Sequence, residues 1–84
     1  MKGHPIDVEC YAGGRADERP RRVIARGRKH VVARLIEATI EESVVSKERS
    51  HRYKVLTEEG LVLEVVREGD GKWYLVSERR AGGS

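Results

Sequence analysis

The stretch Arg28–Glu42, RKHVVARLIEATIEE, is the longest apolar-rich run in the chain, and its structure decides the fold. As a helix it would place Val32, Leu35 and Ile36 on one face, with Ile40 one turn further along. Its composition favours a strand, because β-branched side chains lose rotamer freedom in a helix and suit a pleated surface. The β-branched residues are Val31, Val32, Ile36, Thr39 and Ile40. We therefore predict one long strand, with a helix as the alternative.

The inward face of this strand changes parity near its middle. Its inward apolar positions have odd numbers in the first half and even numbers in the second: Val31, Ala33 and Leu35, then Ile36, Ala38 and Ile40. One extra residue at a β-bulge between Leu35 and Ile36 would produce this change, and a bulge also bends the strand. Long bent strands are typical of small closed sheets. The stretch thus favours an SH3-like or OB-like barrel over a flat sheet.

The rest of the chain supplies shorter strands separated by turn residues. They are predicted at residues 5–11, 21–26, 53–57, 61–67 and 72–77. Gly27 and Arg28 are predicted to form a type II′ turn before the long strand. The last three strands form a meander whose core residues are Val55, Leu61, Leu63, Val65, Trp73 and Leu75. Segment 43–50, SVVSKERS, is either an exposed loop or one turn of helix. The predicted fold is an all-β barrel of about six strands.

The 84 residues are predicted to form one small domain, with an ordered core at about residues 5–78 and a mobile tail at 79–84. Eleven Val against five Leu favour β structure. The chain has no Asn or Gln and is 37% charged, which is typical of thermophilic proteins. No segment has the apolar length of a signal peptide core or a membrane span, so a cytoplasmic protein is expected.

Cys10 is the only cysteine, which excludes an internal disulfide and fits a reducing compartment. It is in phase with Ile6 and Val8 and is predicted to point into the core as a small apolar side chain. The alternative is a reactive nucleophile, which would need a neighbouring base or positive charge.

The last three strands carry apolar residues on their second face as well, namely Leu56, Val62, Val66, Tyr74 and Val76. A sheet face in water would be more polar. Either segment 43–50 or the N-terminal strand covers this face, or it binds a partner, such as a second copy of the chain. Cover from within the chain is the favoured alternative.

Charge is distributed unevenly along the chain. Residues 1–36 carry nine Lys or Arg and four Asp or Glu, whereas residues 37–84 carry eight and ten. Six cations lie within residues 19–29 with no acid among them, and we call this group the basic ridge: Arg19, Arg21, Arg22, Arg26, Arg28 and Lys29. On a hairpin they would line one edge of the sheet. Such a ridge is typical of contact with a phosphate backbone, to which Arg15 would add one more cation.

The ridge also has a structural interpretation. Charged residues on an exposed edge strand prevent edge-to-edge aggregation. Five acids could neutralise the ridge in space, namely Asp17, Glu18, Glu37, Glu41 and Glu42. The run also lacks the alternating aromatic residues on which single-strand binders stack bases.

Residues with catalytic or metal-binding chemistry are few. His4, His30 and His51 are scattered and, with one cysteine, match no zinc spacing. Residues 13–15, Gly-Gly-Arg, lack the remaining glycines and the following helix of a phosphate-binding loop. No enzyme, cofactor or metal site is therefore predicted, and an active site in loop 13–19 is the least favoured hypothesis.

Residues 7–23, DVECYAGGRADERPRRV, together with the closing GKWYLV of residues 71–76, resemble a family of small bacterial proteins known only as a domain of unknown function. The stretch YAG-x-RADERPRR at residues 11–22 is its most specific part. The resemblance spans about residues 6–77 and implies a small cytoplasmic protein, with a loose association to DNA-repair polymerases. This chain departs from the pattern at Gly14 and Ile40, where an aromatic residue and a Trp are expected.

The leading hypothesis is a non-catalytic module that contacts the phosphate backbone of a nucleic acid through Arg15 and the basic ridge. Its rival is a protein-interaction module, such as a homodimer, that uses the second apolar face.

Overall fold

The computed structural model describes residues 3–10, 19–45 and 47–82, and they form a closed barrel of six strands. The strands are β1 (His4–Cys10), β2 (Pro20–Ala25), β3 (Arg28–Glu42), β4 (Arg49–Thr57), β5 (Leu61–Arg67) and β6 (Trp73–Arg80). Each pairs antiparallel with the next, and β6 returns to β1. The predicted all-β small barrel is confirmed. Its order is up-and-down, which differs from the Greek key of OB-folds.

β3 spans the whole of the stretch that was predicted as a strand, so the helix alternative is wrong. The strand contains two bulges rather than one, because its register with β4 skips Ala33 as well as Ile36. The aligned pairs are Val32 with Thr57, Leu35 with Val55, and Ala38 with Tyr53. Inward positions on β3 are therefore three residues apart. This spacing is close to the helical period, which is why the sequence pattern also fits a helix.

The second bulge corrects the predicted inward set of the first half of β3. Val32 is half-buried against the core, whereas Val31 is 37% exposed and Ala33 is exposed. Ile36, which was predicted to point inward, is the extra residue of the other bulge and is 43% exposed. Each extra residue shifts the alternation by one, and only the pairing with β4 fixes where the shift occurs.

The core fills the barrel from all six strands. Its buried apolar residues are Val23, Ala25, Tyr53, Val55, Leu63, Val65, Trp73 and Leu75. Leu61 is half-buried against them, so the predicted inward residues of the last three strands are confirmed. Cys10 also packs against this cluster together with Ile6 and Val8, as expected of a small apolar side chain. The end of the predicted first strand at Tyr11 lies outside the described residues.

The two-residue turn between β2 and β3 consists of Arg26 and Gly27, since Ala25 pairs with Arg28. The predicted turn at Gly27 and Arg28 is therefore displaced by one residue. Both turn residues have positive φ, 53° for Arg26 and 75° for Gly27, which is the signature of a type I′ turn. Asn, Asp or Gly normally occupies the first position, because other side chains are strained there.

Replacing Arg26 by Asn is expected to raise the free energy of unfolding by about 0.5–1 kcal/mol, because Asn tolerates positive φ. Urea unfolding followed by tryptophan fluorescence measures the change. Arg28→Asn is the matched control, since Arg28 lies in β3 and has no positive φ. A gain of stability in both variants would show that removal of charge, rather than relief of the turn, is responsible.

Of the two alternatives for segment 43–50, the loop is confirmed for its described residues before β4, whereas the predicted tail is shorter than expected. The described residues of segment 43–48 form a loop, closed by the Ser43 amide donating to the Glu48 carbonyl at 2.9 Å, and β4 begins at Arg49. β6 extends to Arg80, two residues into the predicted tail, because Arg79 and Arg80 pair with β5. The Ala81 amide also donates to the Gly60 carbonyl. No helix that could cross a membrane occurs among the described residues.

Candidate nucleic-acid interface

The β2–β3 hairpin brings the basic ridge together on one part of the barrel. Arg19 precedes β2, Arg21 and Arg22 lie in β2, and Arg26 lies in the turn. Arg28 and Lys29 begin β3. All six are exposed except Arg22, which is half-buried. Arg15, predicted to join them, and the rest of loop 13–18 lie outside the described residues.

The outer face of the hairpin follows from its register. Val23 and His30 are opposite each other and buried, so their neighbours Arg22 and Lys29 face outward. These two are diagonal neighbours across the strand pair, about 7–8 Å apart. Arg21 is skipped where Cys10 pairs with Pro20, so this bulge leaves its side chain exposed. The hairpin therefore displays cations both along its outer face and at its turn.

The part of the ridge in β2 is not at an edge of the sheet, so the prediction from the sequence is wrong for Arg21 and Arg22. β2 pairs with β1 on one side and with β3 on the other. A strand paired on both sides has no row of unpaired backbone groups to protect. Protection against edge-to-edge aggregation thus does not explain the cations of β2.

The predicted neutralising acids lie elsewhere. Glu42, Glu41 and Glu37 form ion pairs across β3 and β4, with Arg49 at 3.1 Å, Arg52 at 3.5 Å and Lys54 at 3.8 Å, respectively. Arg52 also reaches Glu64 of β5 at 3.3 Å. The cations of β4 are therefore balanced by acids on the neighbouring strands. Asp17 and Glu18 lie outside the described residues.

Within the ridge, the cations differ in their ion pairing. Arg22 pairs with Glu9 of β1 at 3.0 Å. Arg19, Arg26, Arg28 and Lys29 make no ion pair within the part of the chain that the structure describes. Exposed guanidinium and ammonium groups without an acid partner are available to bind an anion from solution.

The second apolar face is interrupted. The five residues predicted to form it lie on the outside of the last three strands: Leu56, Val62, Val66, Tyr74 and Val76. The charged pair Lys54 and Glu64 lies between two apolar groups of this face. Leu56 and Val62 form one group, and Val66 and Tyr74 form the other. Val76 is the extra residue of a bulge in β6 and is 45% exposed.

The two segments predicted to cover this face do not lie over it in the part of the chain that the structure describes. β1 is a wall strand that pairs with β2 and β6 and does not lie over β4 or β5. Val44 and Val45 in segment 43–50 are 91% and 95% exposed, so they do not cover this face. A partner surface at this face stays a prediction.

The three histidines lie in different places. His4 begins β1, and His51 stacks on Tyr53 with ring centroids 6.4 Å apart. His30 is inside the barrel, 4% exposed, with Nδ1 2.7 Å from Oε1 of Glu59. Because an ionised carboxylate only accepts hydrogen bonds, Nδ1 is the donor. No cluster of three or more potential metal ligands occurs among the described residues.

Sequence reasoning did not identify the buried His30–Glu59 contact. The signal that could have found it is the phase of His30 with Val32, which the assumed register of β3 concealed. Glu59 reaches the barrel from the turn between β4 and β5. That turn is further held by the Leu61 amide, which donates to Oγ1 of the buried Thr57 at 3.0 Å.

Glu59→Ala is expected to lower the free energy of unfolding by about 1–2 kcal/mol, because it removes the partner of a buried imidazole N–H. The partial exposure of Glu59 keeps the loss at the lower end of the range for such bonds. Glu58→Ala in the same turn is the control and should change stability by less than about 0.5 kcal/mol. Equal effects in urea unfolding would assign the loss to the turn rather than to the hydrogen bond.

Comparisons with protein-family models, with curated protein sequences and with solved structures find no match for this chain.

Proposed function

We propose that this chain is a non-catalytic nucleic-acid-binding module, and that the β2–β3 hairpin contacts the phosphate backbone through the basic ridge. The contacts are electrostatic and carry no base readout, because phosphate contacts position a protein on a nucleic acid without specifying sequence. Within the described chain, the residues proposed to contact phosphate are Arg19, Arg21, Arg22, Arg26, Arg28 and Lys29. Arg15 is proposed to extend the same surface.

The observation that carries this proposal is the contrast between β4 and the hairpin. The cations of β4 each have a glutamate on a neighbouring strand. Arg26, Arg28 and Lys29 have no such partner among the described residues, although the chain contains 14 acids. An uncompensated group of cations raises the local potential and attracts a polyanion.

The conformation of Arg26 gives independent support. Its φ of 53° lies in the left-handed region, where a long side chain is strained and Asn or Gly would be favoured. Local rules are most often broken at functional positions, where another requirement outweighs stability. A cation at the tip of the hairpin meets such a requirement if the tip binds phosphate.

The sequence resemblance agrees with a nucleic-acid partner. In the most specific part of the resemblance, residues 11–22, four residues lie within the described chain: Arg19 directly precedes β2, and Pro20, Arg21 and Arg22 begin it. Three of them are ridge cations. An association of the family with DNA-repair polymerases would place this module near DNA.

The proposal is tested by fluorescence anisotropy of labelled single-stranded and double-stranded DNA and RNA at about 50 and 200 mM salt. Binding that weakens steeply between these concentrations is expected for all four probes, with little dependence on sequence. Absence of binding at the lower salt concentration would refute the proposal and direct the search to protein partners.

A further inference from the structure

A cleft of about 610 Å³ lies at the end of the barrel that contains the β2–β3 turn. Its lining comes from the start of β3, the β4–β5 turn and the end of β6. The residues are Arg28, Glu59, Gly60, Leu61, Glu78, Arg79, Arg80 and Ala81. A volume of this size accommodates a small organic ligand. Arg28 belongs to the basic ridge, so the cleft is continuous with the proposed nucleic-acid surface.

Register explains why charged residues surround this opening. Arg28 is opposite the buried Ala25, and Arg80 is opposite Leu61, which packs against the core. Both arginines therefore occupy inward-facing positions at the end of the barrel, where the interior meets solvent. β6 pairs with β1 only through Trp73, Tyr74 and Leu75, so the end of β6 has no described strand between it and the hairpin.

The acids of the cleft do not cancel its cations. Three arginines and two glutamates line it, and Glu59 is held by the buried His30. Glu78 has no ion-pair partner among the described residues. One guanidinium group can donate hydrogen bonds to two oxygens of the same phosphate. A carboxylate instead accepts hydrogen bonds from hydroxyl groups such as those of ribose. The lining therefore matches a ligand that carries both a phosphate and hydroxyl groups.

We propose that this cleft binds the terminal phosphate of a nucleic-acid strand whose backbone lies on the basic ridge. This inference rests on the proposed function and adds a binding site to it. A terminal phosphate carries close to two negative charges near neutral pH, whereas an internal phosphodiester carries one. The doubly charged group is attracted more strongly by Arg28, Arg79 and Arg80. This stronger attraction better offsets the repulsion of the phosphate by the two glutamates.

The test compares oligonucleotides of one sequence that end in a 5′-phosphate, a 3′-phosphate or two hydroxyl groups, each labelled at an internal base. Anisotropy should show that one of the two phosphorylated probes binds about 10-fold more tightly than the probe with two hydroxyl ends. Arg80→Ala should remove this preference, so that the variant binds the phosphorylated and hydroxyl probes with equal affinity. Arg80→Lys should retain part of it, because Lys keeps the charge but loses bidentate contact. Lys72→Ala, an exposed cation outside the lining of the cleft, is the matched control and should retain the full preference.

The outcomes separate the two proposals. Equal binding of all three probes with a normal salt dependence would overturn the terminal-phosphate site and leave the ridge proposal intact. A preference that survives in a folded Arg80→Ala protein would also overturn the site. Failure of every probe to bind would overturn both. Excess adenosine 5′-monophosphate should abolish the preference, and lack of competition would count against a phosphate-specific cleft.

Discussion

Replacing Arg26, Arg28 and Lys29 together by Ala is expected to weaken nucleic-acid binding much more at low salt than at high salt. The loss of affinity relative to the unsubstituted protein should be about 40-fold larger at 50 mM salt than at 200 mM salt. Each lost phosphate contact removes about 0.9 from the slope of log affinity against log salt, so three contacts remove about 2.7. The three residues are exposed and make no ion pair in the described part of the chain. Anisotropy titrations across this salt range measure the slope directly.

A control variant must lose the same charge elsewhere. Lys47, Arg49 and Lys72 lie at or near the opposite end of the barrel, and all three are exposed. Their joint replacement by Ala changes the net charge by the same three units. The slope should then fall by well under 1, because only long-range attraction is reduced. Equal losses in the two triple variants would show that affinity follows net charge rather than the ridge.

The single variant Arg26→Asn links binding to the strain of the turn. It should make the protein more stable and the nucleic-acid complex weaker, with a salt slope lower by about 1. A variant that gains stability without losing affinity would show that Arg26 makes no phosphate contact.

Leu63→Ala is expected to lower the free energy of unfolding by about 2–5 kcal/mol, a large share of the total stability of a small domain. Leu63 is completely buried in β5, and its removal leaves a cavity between strands that hydrogen bonds hold at fixed spacing. The barrel therefore cannot collapse to fill the space. Urea unfolding followed by far-ultraviolet circular dichroism measures the loss.

Leu56→Ala makes the same chemical change on the outside of the barrel. Leu56 is half-buried opposite Val62, so its truncation exposes little new surface and leaves no enclosed cavity. A loss of about 1 kcal/mol or less is expected. Comparable losses in the two variants would contradict the assignment of inside and outside on β4 and β5.

The sequence determined the strands where one strong signal operates locally. Alternation along β5 identified Leu63 and Val65 as core residues, and glycines marked the turns that bound this strand. β-branched residues identified Arg28–Glu42 as a strand in spite of its helix-like spacing. Charge counting along the chain identified the basic ridge, since six cations without an acid are visible in the sequence alone.

The tertiary structure decided everything that depends on pairing between distant residues. A bulge is an extra residue relative to a partner strand, so the second bulge at Ala33 exists only in the register with β4. The same register buries His30 beside Glu59, 29 residues away in the chain. Ion-pair partners are likewise set by neighbouring strands, which is why Glu37, Glu41 and Glu42 balance the cations of β4. Arg26, Arg28 and Lys29 of the ridge have no such partner among the described residues.

The composition of this chain thus determined its class, an all-β protein with a basic segment, because strand propensity and charge are properties of single residues. Closure of the sheet decided which explanation of the cations in that segment can hold. It paired β2 on both sides and so removed edge protection as an explanation for the cations of that strand. It also brought Arg28 and Arg80, which are far apart in the sequence, to one opening of the barrel. Side-chain contacts across strands arise only when the backbone hydrogen bonds of the barrel fix the register.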